Sequence, residues 1–314
     1  MELRKDYILN RWVILASERK YRKRELDADQ PKEFNKTCFF CPGNEAATPP
    51  EIDRIEENGK WIIRWFPNKF PAVQEEGNPV IRTDNQFFTF SGSYGKHEVI
   101  AECPEHNKQL WDLSAEHLKK LLYVYRQRIN SLSKGANIKY VVIFKNHGGD
   151  AGTSLVHSHT QVVSLNLIPP LVAEEVSASK GYGSCPYCGI IDIEKNSYRR
   201  CFENNGFVAF APYASRFNYE IWLFPKRHLT NMNELSSNEY GDLAEILKNV
   251  LVKLKELNAS YNLFLHYAPK GENLHLHVEI IPRLATWAGF EFSSDITINS
   301  VTPEDAAKFY RGEQ

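Results

Sequence analysis

The feature that most constrains the fold is a repeat: cysteine and histidine motifs occur in the same order in each half of the chain. The first half carries CFFC at 38–41, then His106, then HSH at 157–159. The second half repeats this order with CPYC at 185–188, His228 and HLH at 275–277. Four flanking segments also repeat: 61–70 with 207–217, 97–106 with 219–228, 111–129 with 233–251, and 137–144 with 260–267. A duplicated unit explains this order and predicts two similar domains.

The length agrees with a duplication. A chain of 314 residues suffices for about two domains of roughly 150 residues each. The joint between the repeats falls near 166–184, where Pro169, Pro170, Gly181 and Gly183 are typical of a linker. We therefore predict an N-terminal catalytic domain over 1–168 and a C-terminal domain over 169–314.

Each half alternates short apolar or β-branched runs with one long amphipathic stretch. The runs predict strands at 11–16, 61–65, 97–103, 138–144, 156–164, 206–210, 219–225, 261–267 and 274–281. The apolar stripes and the tail predict helices at 114–132, 236–257 and 302–312. Strands joined by short turns, with one long helix per unit, predict an α+β fold: antiparallel sheets with packed helices and an internal pseudo-twofold repeat.

Each CxxC pair, together with two more distant histidines, has the composition of a structural zinc site. Zinc in such sites takes four cysteine or histidine ligands in a tetrahedron. The predicted sets are Cys38, Cys41, His106 and His157, and then Cys185, Cys188, His228 and His275. A redox pair or a chance pair of buried thiols is the alternative for each CxxC. We expect two Zn²⁺ per chain, with iron as an alternative at the second set because Glu175 and His266 are harder ligands.

The segment GTSLVHSHTQ at 152–161 places two histidines and a glutamine at alternate positions. On a strand, His157, His159 and Gln161 face one side and form a polar row. With His157 held by metal, a neutral His159 is free to attack phosphorus as a nucleophile. The donors available for phosphate oxygens are Gln161, Thr153, Ser154, Asn146, Arg19, Arg22 and the backbone of Gly152. The alternatives are a second metal ligand or a surface histidine for His159, and an ordinary strand residue for Gln161.

The remaining histidines carry weaker signals. His97, His117 and His147 have no clear partner in the sequence, and we expect surface or helix-capping positions for them. His277 matches the nucleophile of the first repeat, but Glu279 follows it in place of a glutamine and no Gly-Thr-Ser loop precedes it. We therefore expect a structural or vestigial role for His277.

Composition argues against two classes of partner. The net charge of −1 gives no electrostatic case for binding nucleic acid. No apolar stretch approaches the roughly 20 residues of a membrane span, and no leader-like region opens the chain.

CxxC pairs in such a chain favour metal thiolates over disulfides, with Cys103 and Cys201 left as core thiols. We expect a cytoplasmic protein, in which the basic run at 19–24 is either a solvated loop or a phosphate contact.

The order of these motifs, from CFFC through NHGGDAGTSLVHSHTQ and FPKRH to LHLHVEIIPRL, resembles the galactose-1-phosphate uridylyltransferase family of the histidine-triad superfamily. The resemblance covers nearly the whole chain and implies two tandem histidine-triad-like domains. It implies transfer of a nucleoside monophosphate between a nucleotide sugar and a sugar phosphate, with His159 as the nucleophile and Gln161 steadying the nucleotidyl-histidine. It also implies a homodimer and substrate contacts from Arg19, Arg22, Asn68, Asn146, Ser154, Phe290 and Glu291.

Some departures are similar to the ADP-glucose phosphorylase branch of that family. HSH replaces the usual His-Pro-His, and CPYC is present where another branch binds its second metal through positions matching Glu175, His266, His275 and His277. The leading hypothesis is a UDP-glucose–hexose-1-phosphate uridylyltransferase acting on UDP-glucose and galactose 1-phosphate. One alternative is a phosphorylase that cleaves ADP-glucose or a dinucleoside polyphosphate with inorganic phosphate. Another is a non-catalytic zinc-braced binding module.

Overall fold

The computed structural model describes residues 1–18 and 38–313, so Arg19 and Arg22 lie outside the described residues. Its strands are β1 (Glu2–Lys5), β2 (Trp12–Leu15), β3 (Asp53–Glu57), β4 (Lys60–Pro67), β5 (Arg82–Thr83), β6 (Thr89–Phe90), β7 (His97–Ala101), β8 (Tyr140–His147), β9 (His159–Leu165), β10 (Arg200–Glu203), β11 (Phe207–Phe210), β12 (Ile221–Pro225), β13 (Tyr261–His266), β14 (His277–Pro282) and β15 (Ile296–Asn299). Its α-helices are α1 (Ala115–Leu132), α2 (Pro170–Lys180), α3 (Pro186–Glu194), α4 (Ser237–Glu256), α5 (Gly289–Ser294) and α6 (Pro303–Arg311).

Ten strands form one antiparallel sheet, in the order β10-β11-β12-β14-β13-β8-β9-β7-β4-β3. Counted outward from the central pair, one half supplies β8-β9-β7-β4-β3 and the other supplies β13-β14-β12-β11-β10. Phe144 of β8 pairs with Phe264 of β13 at this junction. The α+β class, the antiparallel pairing and the internal pseudo-twofold repeat are therefore confirmed. The sheets of the two repeats join edge to edge into one, which the sequence did not indicate.

The two long helices occupy equivalent places in the repeat and contact each other. Helix α1 begins where Ser114 Oγ accepts a hydrogen bond from the His117 N–H at 3.1 Å. Helix α4 begins at a capping box between Ser236 and Glu239. Leucines of both helices share one core with the strands, and fully burying each contributes about 1.5–3 kcal/mol. Across the described residues, no helix has both the length and the apolar character that a membrane crossing requires.

The joint between the repeats, predicted as a linker near 166–184, contains the helix α2. Pro170 is the first residue of α2 and Gly181 caps its end. A proline fits the first helical position because the N–H it lacks would have no helical partner there. The same residues that are typical of a linker therefore also begin and end a helix.

The N-terminal strands lie against the C-terminal half. Strands β1 and β2 form a three-stranded sheet with β15. Tyr7, between β1 and β2, donates a hydrogen bond to Glu194 at 2.7 Å, and Arg4 donates to Glu304 at 3.0 Å. The predicted domain boundary after residue 168 follows the order of the repeats along the chain, and it stays a prediction.

Candidate active site and metal centres

His159 is the first residue of β9, so this strand begins later than the predicted start at residue 156. Alternation along the strand keeps His159 and Gln161 on one face of the sheet, while His157 lies in the bend that precedes the strand. The His159 ring is 7% exposed, and its Nδ1–H donates to the His157 carbonyl oxygen at 2.8 Å. Within the part of the chain that the structure describes, Nε2 has no hydrogen-bond partner, so its lone pair is available.

The surroundings of His159 favour a neutral imidazole. Burial lowers the pKa of His159, and the positive charge of Lys145 lowers it further. Phe40 packs edge to face against the ring, with ring centroids 5.5 Å apart. A neutral ring whose Nδ1–H is held by a carbonyl is in the protonation state that a nucleophilic histidine requires.

A buried ion pair fixes the backbone of β9 at His159. Lys145 Nζ donates to Glu102 at 2.7 Å and to the His159 carbonyl oxygen at 3.1 Å. Glu102 also accepts hydrogen bonds from the Ser158 and Thr160 hydroxyls. The sequence analysis did not predict this ion pair. The pattern that could have indicated it is a charged residue at the end of each of two apolar strand patterns. Since both charges are buried and paired, loss of either one leaves the other uncompensated.

Gln161 contacts His97, for which the sequence indicated no partner. Gln161 Oε1 lies 2.8 Å from His97 Nε2, and Asn68 Nδ2 lies 3.1 Å from the same nitrogen. His97 is buried, so the prediction of a surface or capping position for it is wrong. The sheet order explains the contact, because β7 lies between β4 and β9.

His117 and His147 also have partners that the sequence did not reveal. His117 Nε2 lies 2.7 Å from the Glu102 carbonyl oxygen, and His147 Nδ1 lies 3.0 Å from Gln109 Oε1. Both rings are half-buried, and burial lowers the pKa of His147 to about 4. His117 lies at the capped first turn of α1, as expected, while the partners of both rings come from segments distant in the chain.

The loop that precedes β9 presents predicted phosphate donors. A short 3-10 turn over Gly149–Ala151 leads into Gly152, whose φ of 82° favours glycine. The Thr153 hydroxyl donates to the Leu155 carbonyl oxygen at 3.1 Å, while Ser154 is exposed. An exposed hydroxyl beside a glycine turn suits an anionic ligand.

Three further predicted substrate residues lie on β8, beside β9, and in α5. Asn146 of β8 accepts a hydrogen bond from Asn262 at 2.9 Å. Phe290 and Glu291 lie in α5, where Glu291 accepts a hydrogen bond from the Ala288 N–H at 2.9 Å and caps its own helix. Among the described residues, no hydrogen bond or ring contact joins α5 to β9, and the substrate roles of Phe290 and Glu291 stay predictions.

The first predicted metal set comes together beside this site. Its ligand atoms lie within 4.8 Å of one another, and His159 is not among them. Cys41 Sγ lies 3.4 Å from His106 Nδ1 and 3.6 Å from His157 Nδ1. Cys38 Sγ also lies 3.6 Å from His157 Nδ1. Sulfur and nitrogen ligands at usual zinc distances in a tetrahedron stand about 3.6 Å apart, so this donor set fits a metal ion.

The hydrogen bond made by His157 Nε2 determines which ring nitrogen of His157 can bind a metal ion. Its Nε2–H donates to the Cys103 carbonyl oxygen at 2.7 Å, which leaves Nδ1 without a proton. Burial raises the pKa of Cys41 to about 11, and the neighbouring Cys38 raises it too, so a pair of thiolates needs a cation here. Four protein ligands leave no open position for water, which is typical of a structural metal.

The second predicted set comes together with similar distances. Cys188 Sγ lies 3.6 Å from both His228 Nδ1 and His275 Nδ1. Cys185 Sγ lies 3.8 Å from His275 Nδ1. The His275 Nε2–H donates to the Pro225 carbonyl oxygen at 3.0 Å, which repeats the arrangement of the first half. Each half therefore contains a four-ligand group that can hold a metal ion.

Glu175 and His266, considered above as iron ligands, belong to a separate buried group. They lie with His277 and Glu279, and the four ligand atoms are within 4.8 Å of one another. His266 Nδ1 lies 3.1 Å from Glu175, while His275 stays with the cysteines. Glu175 and His266 therefore do not join the second cysteine set, and the metal of that set stays a prediction.

Family comparison covers both repeats. Residues 1–169 match the family model described as Galactose-1-phosphate uridyl transferase, N-terminal domain. Residues 101–309 match a domain of unknown function (DUF4921). The first match contains the first metal set and the predicted nucleophile.

Individual relatives match the whole chain. ADP-glucose phosphorylase of Arabidopsis thaliana is 33% identical over 99% of this chain and 92% of its own length. Galactose-1-phosphate uridylyltransferase of Thermotoga maritima is 29% identical over 99% of this chain and 98% of its own length. Both similarities run through both repeats.

Solved structures agree with these similarities. The crystal structure of the Arabidopsis ADP-glucose phosphorylase with bound ADP-glucose has a TM-score of 0.84 at 32% identity, covering 100% of this chain and 99% of that chain. A uridylyltransferase structure has a TM-score of 0.77 at 30% identity, covering 99% and 98%. With the family model matching more than half of its residues, this chain belongs to the galactose-1-phosphate uridylyltransferase family.

Proposed function

We propose that this protein is a nucleotidyltransferase in which His159 takes a nucleoside monophosphate from a nucleotide sugar. The observation that carries the proposal is the state of the His159 ring. Its Nδ1–H donates to the His157 carbonyl at 2.8 Å, so Nε2 has the lone pair of a neutral imidazole. Membership of a nucleotidyltransferase family supports the same chemistry.

The first half-reaction exchanges one bond for another at the α-phosphorus. The His159 Nε2 lone pair forms an N–P bond while the P–O bond to the sugar phosphate breaks, and that electron pair leaves on the sugar 1-phosphate. The Nδ1–H stays with the His157 carbonyl, which stabilises the charge that the ring gains. In the second half-reaction an acceptor phosphate oxygen attacks, and the N–P electron pair returns to Nε2. No strong general acid is needed, because the leaving phosphate has a low pKa.

Donors near His159 stabilise the phosphate oxygens as negative charge develops on them. The amide of Gln161 and the exposed loop before β9 support this part of the proposal. The proposed contacts are Gln161, Thr153, Ser154, Asn146, Arg19 and Arg22 to phosphate, Asn68 to the nucleotide, and Phe290 and Glu291 to the hexose. Each of these assignments is a proposal about one side chain and can be tested by substitution.

Zinc is the metal proposed for both Cys-His sets. The donor types, and sulfur–nitrogen distances near those of a tetrahedral site, support it. Zinc held by Cys38, Cys41, His106 and His157 would fix the position of the segment that leads into β9, and it would not activate water. All six cysteines are free, which fits a cytoplasmic protein, and we propose a homodimer on the family resemblance.

The leading donor and acceptor are UDP-glucose and galactose 1-phosphate. Similarity to the Thermotoga uridylyltransferase over 98% of that protein supports this pair. A phosphorylase that cleaves ADP-glucose with inorganic phosphate is the second candidate. Its specific support is 33% identity to a plant ADP-glucose phosphorylase over 99% of this chain. Both candidates use the same His159 chemistry and differ in the base and the acceptor.

Intact-mass measurement of the covalent adduct tests the proposal. The protein is incubated with UDP-glucose or with ADP-glucose, and we expect a mass increase equal to UMP or AMP. Galactose 1-phosphate or inorganic phosphate is then added, and the acceptor that removes the increment identifies the second substrate. No adduct from either nucleotide sugar would contradict both enzyme candidates and favour a binding module.

A further inference from the structure

Two side chains and one backbone N–H meet at the ring of His97. Gln161 Oε1 lies 2.8 Å from Nε2, and Asn68 Nδ2 lies 3.1 Å from the same atom. On the other side of the ring, the Ala72 N–H donates to Nδ1 at 3.1 Å. Neither the proposed chemistry nor the metal sets use His97.

Two backbone donors determine the hydrogen positions in this group. A backbone N–H can only donate, so the Ala72 bond leaves His97 Nδ1 without a proton and places the ring hydrogen on Nε2. The Phe70 N–H donates to Asn68 Oδ1 at 2.9 Å, so Asn68 turns its NH₂ group toward His97. Nε2–H therefore has Gln161 Oε1 as its acceptor.

This assignment leaves two amide groups with hydrogens to donate. Gln161 accepts through Oε1, so its NH₂ group points elsewhere, and in the described residues it has no hydrogen-bond partner. Asn68 Nδ2 lies near the same ring N–H, which cannot accept its hydrogens, so His97 does not hold this amide. The Phe70 N–H fixes the Asn68 oxygen instead, and the Asn68 NH₂ hydrogens are also available. Two free NH₂ groups beside one ring suit an anionic or carbonyl acceptor.

We propose that His97 is a positioning residue that sets the orientation of the Gln161 amide, so that its NH₂ group faces the phosphate of the bound nucleotide. The proposal rests on the nucleotidyl transfer proposed above. A glutamine amide that rotated by half a turn would present its oxygen to the phosphate and repel it. His97 prevents this rotation because Nε2–H bonds the amide oxygen and would clash with the NH₂ group.

Burial and a backbone contact hold the His97 ring in one place beside the Gln161 amide. His97 is 9% exposed and begins β7, and its carbonyl oxygen accepts the Asn68 N–H at 2.8 Å. Burial lowers the pKa of His97, which keeps the ring neutral and its single hydrogen on Nε2. Fixed donors stabilise developing charge better than mobile ones, because no reorganisation is needed during the reaction.

Substitutions test the proposal through single-turnover adduct formation. His97→Phe keeps a buried ring without a donor, and His97→Gln keeps an amide N–H that can reach the place of Nε2. Removing one donor to a developing oxyanion typically costs on the order of 10²–10³ in rate, and we expect such a loss for Gln161→Ala. We expect a loss of at least about tenfold for His97→Phe and most of the rate regained in His97→Gln.

A double-mutant cycle separates positioning from general damage. If His97 acts through Gln161, His97→Phe should have almost no further effect on the adduct rate in the Gln161→Ala protein. The KM for the nucleotide sugar should change much less than the adduct rate. Losses that multiply, or a His97→Gln protein no faster than His97→Phe, would overturn the proposal.

The tautomer gives a test that does not depend on activity. In ¹⁵N-histidine-labelled protein, NMR should show His97 with its hydrogen on Nε2, and Gln161→Ala should shift that N–H resonance. A hydrogen on Nδ1 would overturn the positioning role even in an active enzyme. Failure of the wild-type protein to form an adduct would instead contradict the proposed function while the His97 tautomer is still measured.

Discussion

The two halves of this chain build the same His-x-His geometry and surround it differently. His159 Nδ1 and His277 Nδ1 each lie 2.8 Å from the carbonyl oxygen of the histidine two residues earlier. In each half, that earlier histidine belongs to a Cys-Cys-His-His group. The repeat therefore preserved the four-ligand group and the orientation of the second histidine ring in both halves.

The space around Nε2 differs between the halves. Phe224 stacks on His277 with ring centroids 4.8 Å apart, and Tyr187 of α3 lies 5.4 Å from the same ring. Glu279 Oε1 lies 3.5 Å from His277 Nε2 and adds a negative charge. Beside His159 the cross-strand neighbour is the small Ala101, and Phe40 meets the ring edge to face rather than stacking on it. A covered ring next to a carboxylate cannot accept a phosphate, so the comparison supports a structural role for His277.

The largest expected difference between the halves is the effect of replacing the second histidine of each His-x-His motif. His159→Ala should lower adduct formation by more than about 10⁴-fold, since it removes the nucleophile. His277→Ala should form the adduct and lose about 1–3 kcal/mol of unfolding free energy, because it empties a buried position. Intact mass and thermal unfolding of both variants test this. An adduct that depends on His277 would reverse the assignment.

The metal sets offer the next comparison. Cys38→Ser and Cys185→Ser should each lower the metal content by about one ion and lower Tm, because ligand loss couples to folding. Cys38→Ser should also slow adduct formation by about 10–100-fold, as loss of support for a site does. Elemental analysis and the adduct rate check this. Equal loss of rate in both variants would mean that the first metal has no particular link to His159.

The smallest expected effect comes from the space beside the nucleophile. Ala101→Phe should slow adduct formation by about tenfold or more, because it covers His159 as Phe224 covers His277. Overpacking should also cost about 1–3 kcal/mol of stability. Ala101→Gly is the matched control, since it costs roughly 0.5–1 kcal/mol without filling the space. A Phe variant as fast as the Gly variant would show that open space is not what distinguishes the halves.

Local patterns predicted much of this molecule. The repeated motifs gave matching pairs of strands and the two long helices, since apolar periodicity and caps such as Ser114 are local signals. The order and spacing of the cysteines and histidines predicted the members of both Cys-His sets, because few other arrangements supply four ligands to a tetrahedral ion. The roles of Arg19 and Arg22 stay predictions, because they lie outside the described residues.

Contacts between distant segments could not be predicted in the same way. The junction of β8 with β13 depends on edge pairing between repeats, for which a single sequence has no marker. His97 meets Asn68 and Gln161 only because β7 lies between β4 and β9. The buried pair of Glu102 and Lys145 likewise arises from the sheet order, because a charged residue at the end of each strand pattern does not indicate which other strand lies nearby.

The most direct measurement is the position of the covalent nucleotide. After incubation with UDP-glucose or ADP-glucose, the protein is digested at mildly alkaline pH, where a phosphoramidate survives, and the peptides are sequenced by mass spectrometry. We predict a nucleoside monophosphate on His159, in the peptide that contains GTSLVHSHTQ. A modified residue anywhere else, including His277, would contradict the account.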